Sequence, residues 1–278
     1  MGLQRLAALL VVLVVAGCAG STPEKSIAVG AGSDAVTTLL AHLYAAALRS
    51  YGSAAHVAQA ADPLAELDTG AVEVVPGLTG RLLVRFDPDA TARAPEQVYR
   101  SMISALPEGI GAGDYAQSAE DKPALVVTEA TATKWGVRDV AAVARRCPGV
   151  TVGAVAGDPA PAVVATCRPP AATEFPTAAA LVDALRSGRV TAAWTSTAVP
   201  ETPDDVVVLS DKTSAIRAEN VVPLYRRNEL DERQVLALNE IAGELDTGSL
   251  ADMLGKVASG TDPGAVADDW LAAHPLGH

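Results

Sequence analysis

Residues 65–80, AELDTGAVEVVPGLTG, are echoed by residues 183–197, DALRSGRVTAAWTST. Each copy closes a helical pattern with Leu-x-x-Gly, continues into a Val-rich strand and ends in a polar turn. Gly70 aligns with Gly188, Leu67 with Leu185, Val72 with Val190 and Thr79 with Thr197. A glycine just past the last helical turn suits a left-handed cap. In open α/β sheets ligands lie beyond the carboxyl ends of strands, so two such edges, one from each of two similar lobes, predict a cleft. A Leu-x-x-Gly-x-Val junction also recurs by chance in α/β proteins, so the weight falls on its place within two similar passages.

Those passages are visible on either side. Residues 26–29 read as a strand, followed by a Gly-rich turn and a helix whose apolar face includes Leu39, Leu43, Ala46 and Ala47 and which stops near Gly52. HVAQA (56–60) reads as a second strand. Asp62 as N-cap and Pro63 at the first helical position then start another helix. APEQVYRSMISAL (94–106) is helical, and residues 107–121 form a Gly-rich connection. From Pro123 the pattern restarts with strand ALVVT, helix VRDVAAVARR, strand VTVGAV, a Pro-rich loop, helix TAAALVDALRSG and strand VTAAW. Strands DVVVLS and VVPLYR and three closing helices complete the chain, the last helix opening on Asp262 and Pro263. The succession predicts an α/β protein with mostly parallel sheets and helices on their faces, a second lobe beginning near residue 122.

Composition agrees with a folded core: 278 residues, 49% of them apolar. The first residues have Arg5, an apolar run from Leu6 to Val15 and small residues before Cys18, too short for a membrane span and suited to a signal peptide. VAGC, residues 15–18, resembles the bacterial lipobox, in which the cysteine is acylated and becomes the first mature residue. Residues 1–17 are accordingly expected to be a lipoprotein signal and 18–25 a tether, with the protein held by lipid on the outer face of the cell membrane. An ordinary secretory signal is the alternative. The net charge of −12 disfavours nucleic acid as a partner. In an oxidising compartment Cys147 and Cys167 form a disulfide or remain two buried thiols; a zinc site is disfavoured, no histidine lying near either.

The order and spacing of these segments resemble the substrate-binding proteins of ABC importers for glycine betaine, choline and related osmoprotectants. LDTGAVEVVPGLTG (67–80) is similar to that family's LxxGxVDVYPEYTG, LRSGRVTAAWTST (185–197) to its LxxGxVDxADAFST, and residues 124–144, 206–230 and 237–274 to later segments. The resemblance implies a two-lobed periplasmic-binding-protein fold of type II, a venus-flytrap with crossovers near Asp121 and Thr213. Lobe 1 is then residues 26–121 with 213–278, and lobe 2 residues 122–212. It also implies a small-molecule solute, an ABC permease subunit as partner, hinge closure on the ligand, and neither cofactor nor catalysis.

The family's tyrosine cage for quaternary ammonium is largely missing. Leu78, Pro123 and Glu219 stand at tyrosine positions and Gly32 where a lysine is common. Near the two edges remain Ser33 and Asp34, Leu78 and Thr79, Trp194, Thr195 and Ser196, and Glu219 and Asn220. Two carboxylates and one indole suit a compact cation; locally, Asp34 also reads as a helix cap and Glu219 as a solvated loop residue. GAGSDA (30–35) satisfies a dinucleotide fingerprint, but Gln59 and Ala60 stand where its acidic partner belongs. No Gly-x-Ser-x-Gly elbow accompanies His42, His56, His274 and His278. The other reading is a diverged binding lipoprotein that senses a solute or meets a protein partner without transport.

Overall fold

The computed structural model describes residues 26–136 and 138–277. The expected signal, the tether and Cys18 lie outside the described residues. The first passage forms β1 (Ile27–Ala31), α1 (Ala35–Ser50), β2 (Ala55–Gln59), α2 (Pro63–Thr69), β3 (Val74–Leu78), α3 (Thr79–Phe86), α4 (Pro95–Ala105) and β4 (Ile110–Ala112). The second forms β5 (Pro123–Thr128), α5 (Glu129–Trp135), α6 (Ala141–Arg145), β6 (Val152–Val155), β7 (Thr173–Phe175), α7 (Ala178–Arg186), β8 (Ala192–Ser196) and β9 (Val206–Val208). Then come β10 (Val221–Arg226), α8 (Glu232–Glu244), α9 (Thr247–Ala258) and α10 (Pro263–Ala273).

These strands build two five-stranded sheets, ordered β2-β1-β3-β10-β4 and β7-β6-β8-β5-β9. The same rule governs both. β1 is parallel to β2 and β3, and β6 is parallel to β7 and β8. The strand that enters from the other half, β10 in one sheet and β5 in the other, pairs antiparallel on both sides. The chain therefore leaves the first sheet after β4 and returns to it at β10, making the mixed α/β fold of a type II periplasmic binding protein.

Local chemistry explains most boundaries. Asp62 caps α2 by accepting the Ala65 N–H at 3.2 Å, with Pro63 in the first turn. Gly70 and Gly188 take φ of +79° and +73°, which a β-carbon would oppose. Asp231 and Gln234 form a capping box on α8. The first core gathers Leu39, Leu43, Tyr44 and Leu48 of α1 against Leu238, Ile241 and Trp270 of the closing helices. The second gathers Leu125, Val127, Val152 and Trp194. Packing changes sides late in the chain: Ala215 and Ile216 belong to the second core and Ala218 to a first-sheet cluster.

Several elements differ from expectation. The polar turn expected after VEVV is the last part of β3 running directly into α3. The connection 107–121 contains β4, and the Pro-rich loop ends in β7. The expected helix over VRDVAAVARR (137–146) is reduced to the short α6, and an unforeseen α5 precedes it. Thr128 Oγ1 accepts the Thr131 N–H at 3.2 Å and starts α5 early, and Gly136 at φ +72° ends it. In the second lobe Cys147 and Cys167 bring their Cα atoms to 5.5 Å and are joined as a disulfide.

Candidate functional site

The two crossovers run side by side. Glu120 and Asn220 form an antiparallel bridge, and the Asp121 N–H donates to the Glu219 carbonyl at 2.9 Å. The repeated threonines hold these crossovers by one device used twice. Thr79 N–H donates to the Asn220 carbonyl at 2.9 Å, and Asn220 N–H returns to Thr79 Oγ1 at 3.1 Å. Thr197 N–H donates to the Lys122 carbonyl at 2.9 Å, and Lys122 N–H returns to Thr197 Oγ1 at 2.9 Å. The echo in the sequence thus marks where each lobe grips the strand crossing into it. Asn220 Nδ2 also donates to the Ala116 carbonyl at 3.0 Å, pinning the segment before β5.

Around this hinge lies a polar relay from lobe to lobe. Leu78, the N-cap of α3, supplies no side-chain cap; Glu219 does so from the opposite crossover, accepting the Arg81 N–H at 2.8 Å. A Cβ on Gly80 would meet the Ala218 carbonyl at 2.4 Å, so this approach requires glycine. Arg81 places its guanidinium 3.5 Å from Asp121 Oδ2. The other Asp121 oxygen accepts the Ser196 hydroxyl at the end of β8. Burial pushes the Glu219 carboxyl up to about 7, against the opposing pull of the Arg81 N–H and charge. Lys122, just before β5, sits 3.5 Å from Glu120 and 3.7 Å from Asp211.

Beside the relay opens a cleft between the lobes. Its polar end, about 320 Å³, is lined by Asp34, Val36, Arg81, Asp121, Asp158 and Ser196, with Pro123 and Thr195 among their neighbours. Three carboxylates face one guanidinium there. Through Val36, Asp121, Asp158, Thr195 and Ser196 it continues into a chamber of about 560 Å³ with aliphatic walls. Asp34 accepts the Thr37 N–H at 2.9 Å as the N-cap of α1 while also lining the polar end.

The expected site residues divide by accessibility. A side chain that lines an open cleft keeps contact with water, yet Thr79 is 0%, Asn220 1%, Leu78 2% and Trp194 2% exposed. Leu78 packs in the first core and Trp194 in the second; Thr79 and Asn220 serve the hinge. The indole expected to offer a free aromatic face is a core side chain because β8 turns Trp194 toward Leu125 and Val127. Glu219 is a buried helix cap instead of a solvated loop residue or a cleft carboxylate. Ser33 is exposed on the turn before α1, whereas Asp34, Thr195 and Ser196 do reach the polar end.

Sequence reading passed over Arg81, Asp121 and Asp158. Arg81 lies in a helix not anticipated, and Asp121 was a boundary marker. Asp158 belongs to a Pro-rich loop whose only signal was its composition. Among the described residues no group of His, Cys, Asp and Glu is suited to a metal ion, and no helix is long and apolar enough to cross a membrane.

The family model for OpuAC, the substrate-binding domain of ABC-type glycine betaine transport systems, matches residues 25–273. A solved glycine betaine/carnitine/choline ABC transporter structure superposes with a TM-score of 0.70 at 15% identity, covering 90% of this chain and 98% of that one. Apo YehZ from Escherichia coli gives 0.68 at 17% identity over 90% and 99%. An ABC-transporter choline-binding protein in complex with choline gives 0.56 at 16% identity over 90% and 89%. No curated protein matches the sequence.

Proposed function

Because the chain belongs to the family of substrate-binding domains of ABC-type glycine betaine transport systems, we infer that it captures a small cationic solute between its lobes and presents it to an importer's permease. The observation that carries the cation is the polar end of the cleft, where Asp34, Asp121 and Asp158 outnumber Arg81. In a partly desolvated site an excess of carboxylates favours a cation and repels an anion. The charge supplies what the absent tyrosines do not: among the described residues the one aromatic residue along either part of the cleft is Trp194, whose side chain is buried in the second core.

The proposed ligand residues are Asp34, Asp121, Asp158, Thr195 and Ser196, with Arg81 holding Asp121 in place. The proposed lobes are residues 26–121 with the C-terminal part, and the segment from 122 to the second crossover. The packing of Ile216 and Ala218 supports placing that crossover at Arg217, a few residues beyond Thr213. Hinge closure about the paired crossovers would then bring Asp158 and Ser196 toward Asp34.

Capture is tested by a thermal-shift panel of betaine, choline, carnitine, polyamines and neutral osmolytes. Stabilisation by at least one cation, growing with its concentration, is expected. A panel in which nothing moves the melting temperature would favour a lipoprotein that meets a protein partner instead.

We also propose that Cys18 is acylated and tethers the exported chain to the membrane, on the strength of VAGC at residues 15–18. In detergent phase partitioning the wild type is expected in the detergent phase and Cys18→Ser in the aqueous phase; equal partitioning of the two contradicts the anchor.

A further inference from the structure

The polar end of the cleft has room for a compact methylated ammonium by itself, which leaves the adjoining chamber without an occupant. That chamber, about 560 Å³, falls alone within the range of roughly 300–1,000 Å³ typical of small-molecule sites. Its walls are aliphatic and come from both lobes. Val126, Val155, Leu181 and Leu185 of the second lobe face Leu254 and Val257 of α9. Val257 and Leu254 are half-buried, packed against the first core on one side. Water on such walls is poorly held, since they offer it few hydrogen-bond partners.

We propose that the solute is a cation carrying an apolar arm, its ammonium head at Asp34, Asp121 and Asp158 and its arm in this chamber. This rests on the reading of the cleft as the solute site. Two features select such a ligand over others. Asp121 and Asp158 line both compartments, so the charge stands at the junction where a head would enter and an uncharged chain would gain nothing from it. The Asp158 carboxylate has no hydrogen-bond or ion-pair partner among the described residues, the backbone N–H alone being bound, to the Val155 carbonyl at 3.0 Å, so the side chain is available to a ligand. A short hydrophilic betaine would leave the aliphatic walls wet, whereas an arm that covers them gains about 0.8 kcal/mol for each buried methylene.

The test is calorimetric titration of a homologous series into the exported chain carrying Cys18→Ser, handled without detergent. The series is tetramethylammonium and its butyl-, hexyl- and octyltrimethylammonium homologues, with hexan-1-ol as the uncharged control. Affinity is expected to rise about threefold to fourfold per added methylene and hexanol to bind far more weakly than hexyltrimethylammonium. Val182→Asn, on the chamber-facing side of α7, and Val257→Asn should each flatten the dependence on chain length while leaving tetramethylammonium binding unchanged. Tetramethylammonium binding as tightly as its octyl homologue would overturn the apolar arm and leave the cation site standing. Hexanol equal to hexyltrimethylammonium would overturn the role of the head. Binding of no member of the series would overturn both this proposal and the cleft reading beneath it.

Discussion

A carboxyl group that caps a helix from a distant crossover is an unusual arrangement for Glu219, and its buried position fixes how its proton behaves. Folded, it titrates near 7; unfolded, at its ordinary 4.5. The protonated form is therefore favoured by folding. Its contribution is fully present below about 4.5 and is lost as the pH rises through about 7, a difference of roughly 3 kcal/mol. Glu219→Gln keeps an oxygen for the Arg81 N–H without the charge, so stability measured by urea unfolding across this range should lose that share of its pH dependence. A variant with the wild-type slope would show that another group carries it. At this scale the sequence was a poor guide: nothing around residue 219 announces a carboxylate buried against α3, because its partner Arg81 is 138 positions away.

The repeated helix-to-strand junction shows what was legible at the level of elements. Gly70 and Gly188, Leu67 and Leu185, Val72 and Val190 occupy equivalent positions at the helix ends and connections that lead into β3 and β8, the third strands of two sheets of matching order. Thr79 and Thr197 differ in local structure, one opening α3 and the other in a turn, yet they make the same pair of backbone bonds to a crossover. Thr79→Val and Thr197→Val keep the shape and remove the acceptor, leaving the Asn220 or Lys122 N–H unpaired; each should cost about 1–3 kcal/mol in urea unfolding. A cost confined to one of the two would break the equivalence. Short β4 and β7 escaped notice because pairing stabilises them, not local periodicity, and α3 because its cap, Glu219, comes from far along the chain. The loop from Ala156 to Ala172 contributes Asp158 to the cleft and carries Cys167 tied back to Cys147, at a separation of 20 residues. Closing a loop of that length is worth about 3 kcal/mol in the chain-entropy model. The Cys147→Ser/Cys167→Ser protein is expected to lose stability of this order, and unchanged unfolding with and without reductant would contradict the bridge.

Across the whole molecule, the two-lobed architecture was readable from the alternation of strands and helices and from where the pattern restarted at Pro123. The cleft's chemistry was readable in part. Asp34, Thr195 and Ser196, expected near the lobe edges, line the polar end of the cleft. The residues expected from cage positions, Leu78 and Glu219, were taken up by core and hinge, and so was Trp194. An inter-lobe cleft draws its residues from chain segments that meet only after both sheets have folded, which no local pattern encodes. Its acidic character follows from three carboxylates around one arginine. The most direct measurement is calorimetric titration of the most stabilising cation of the panel into the wild type and into Asp158→Asn, an exposed position whose change leaves the hinge intact. One site per chain is expected, with affinity at least tenfold weaker in the variant, about 1.4 kcal/mol. Equal affinity in the two proteins would contradict the placement of the solute in this cleft.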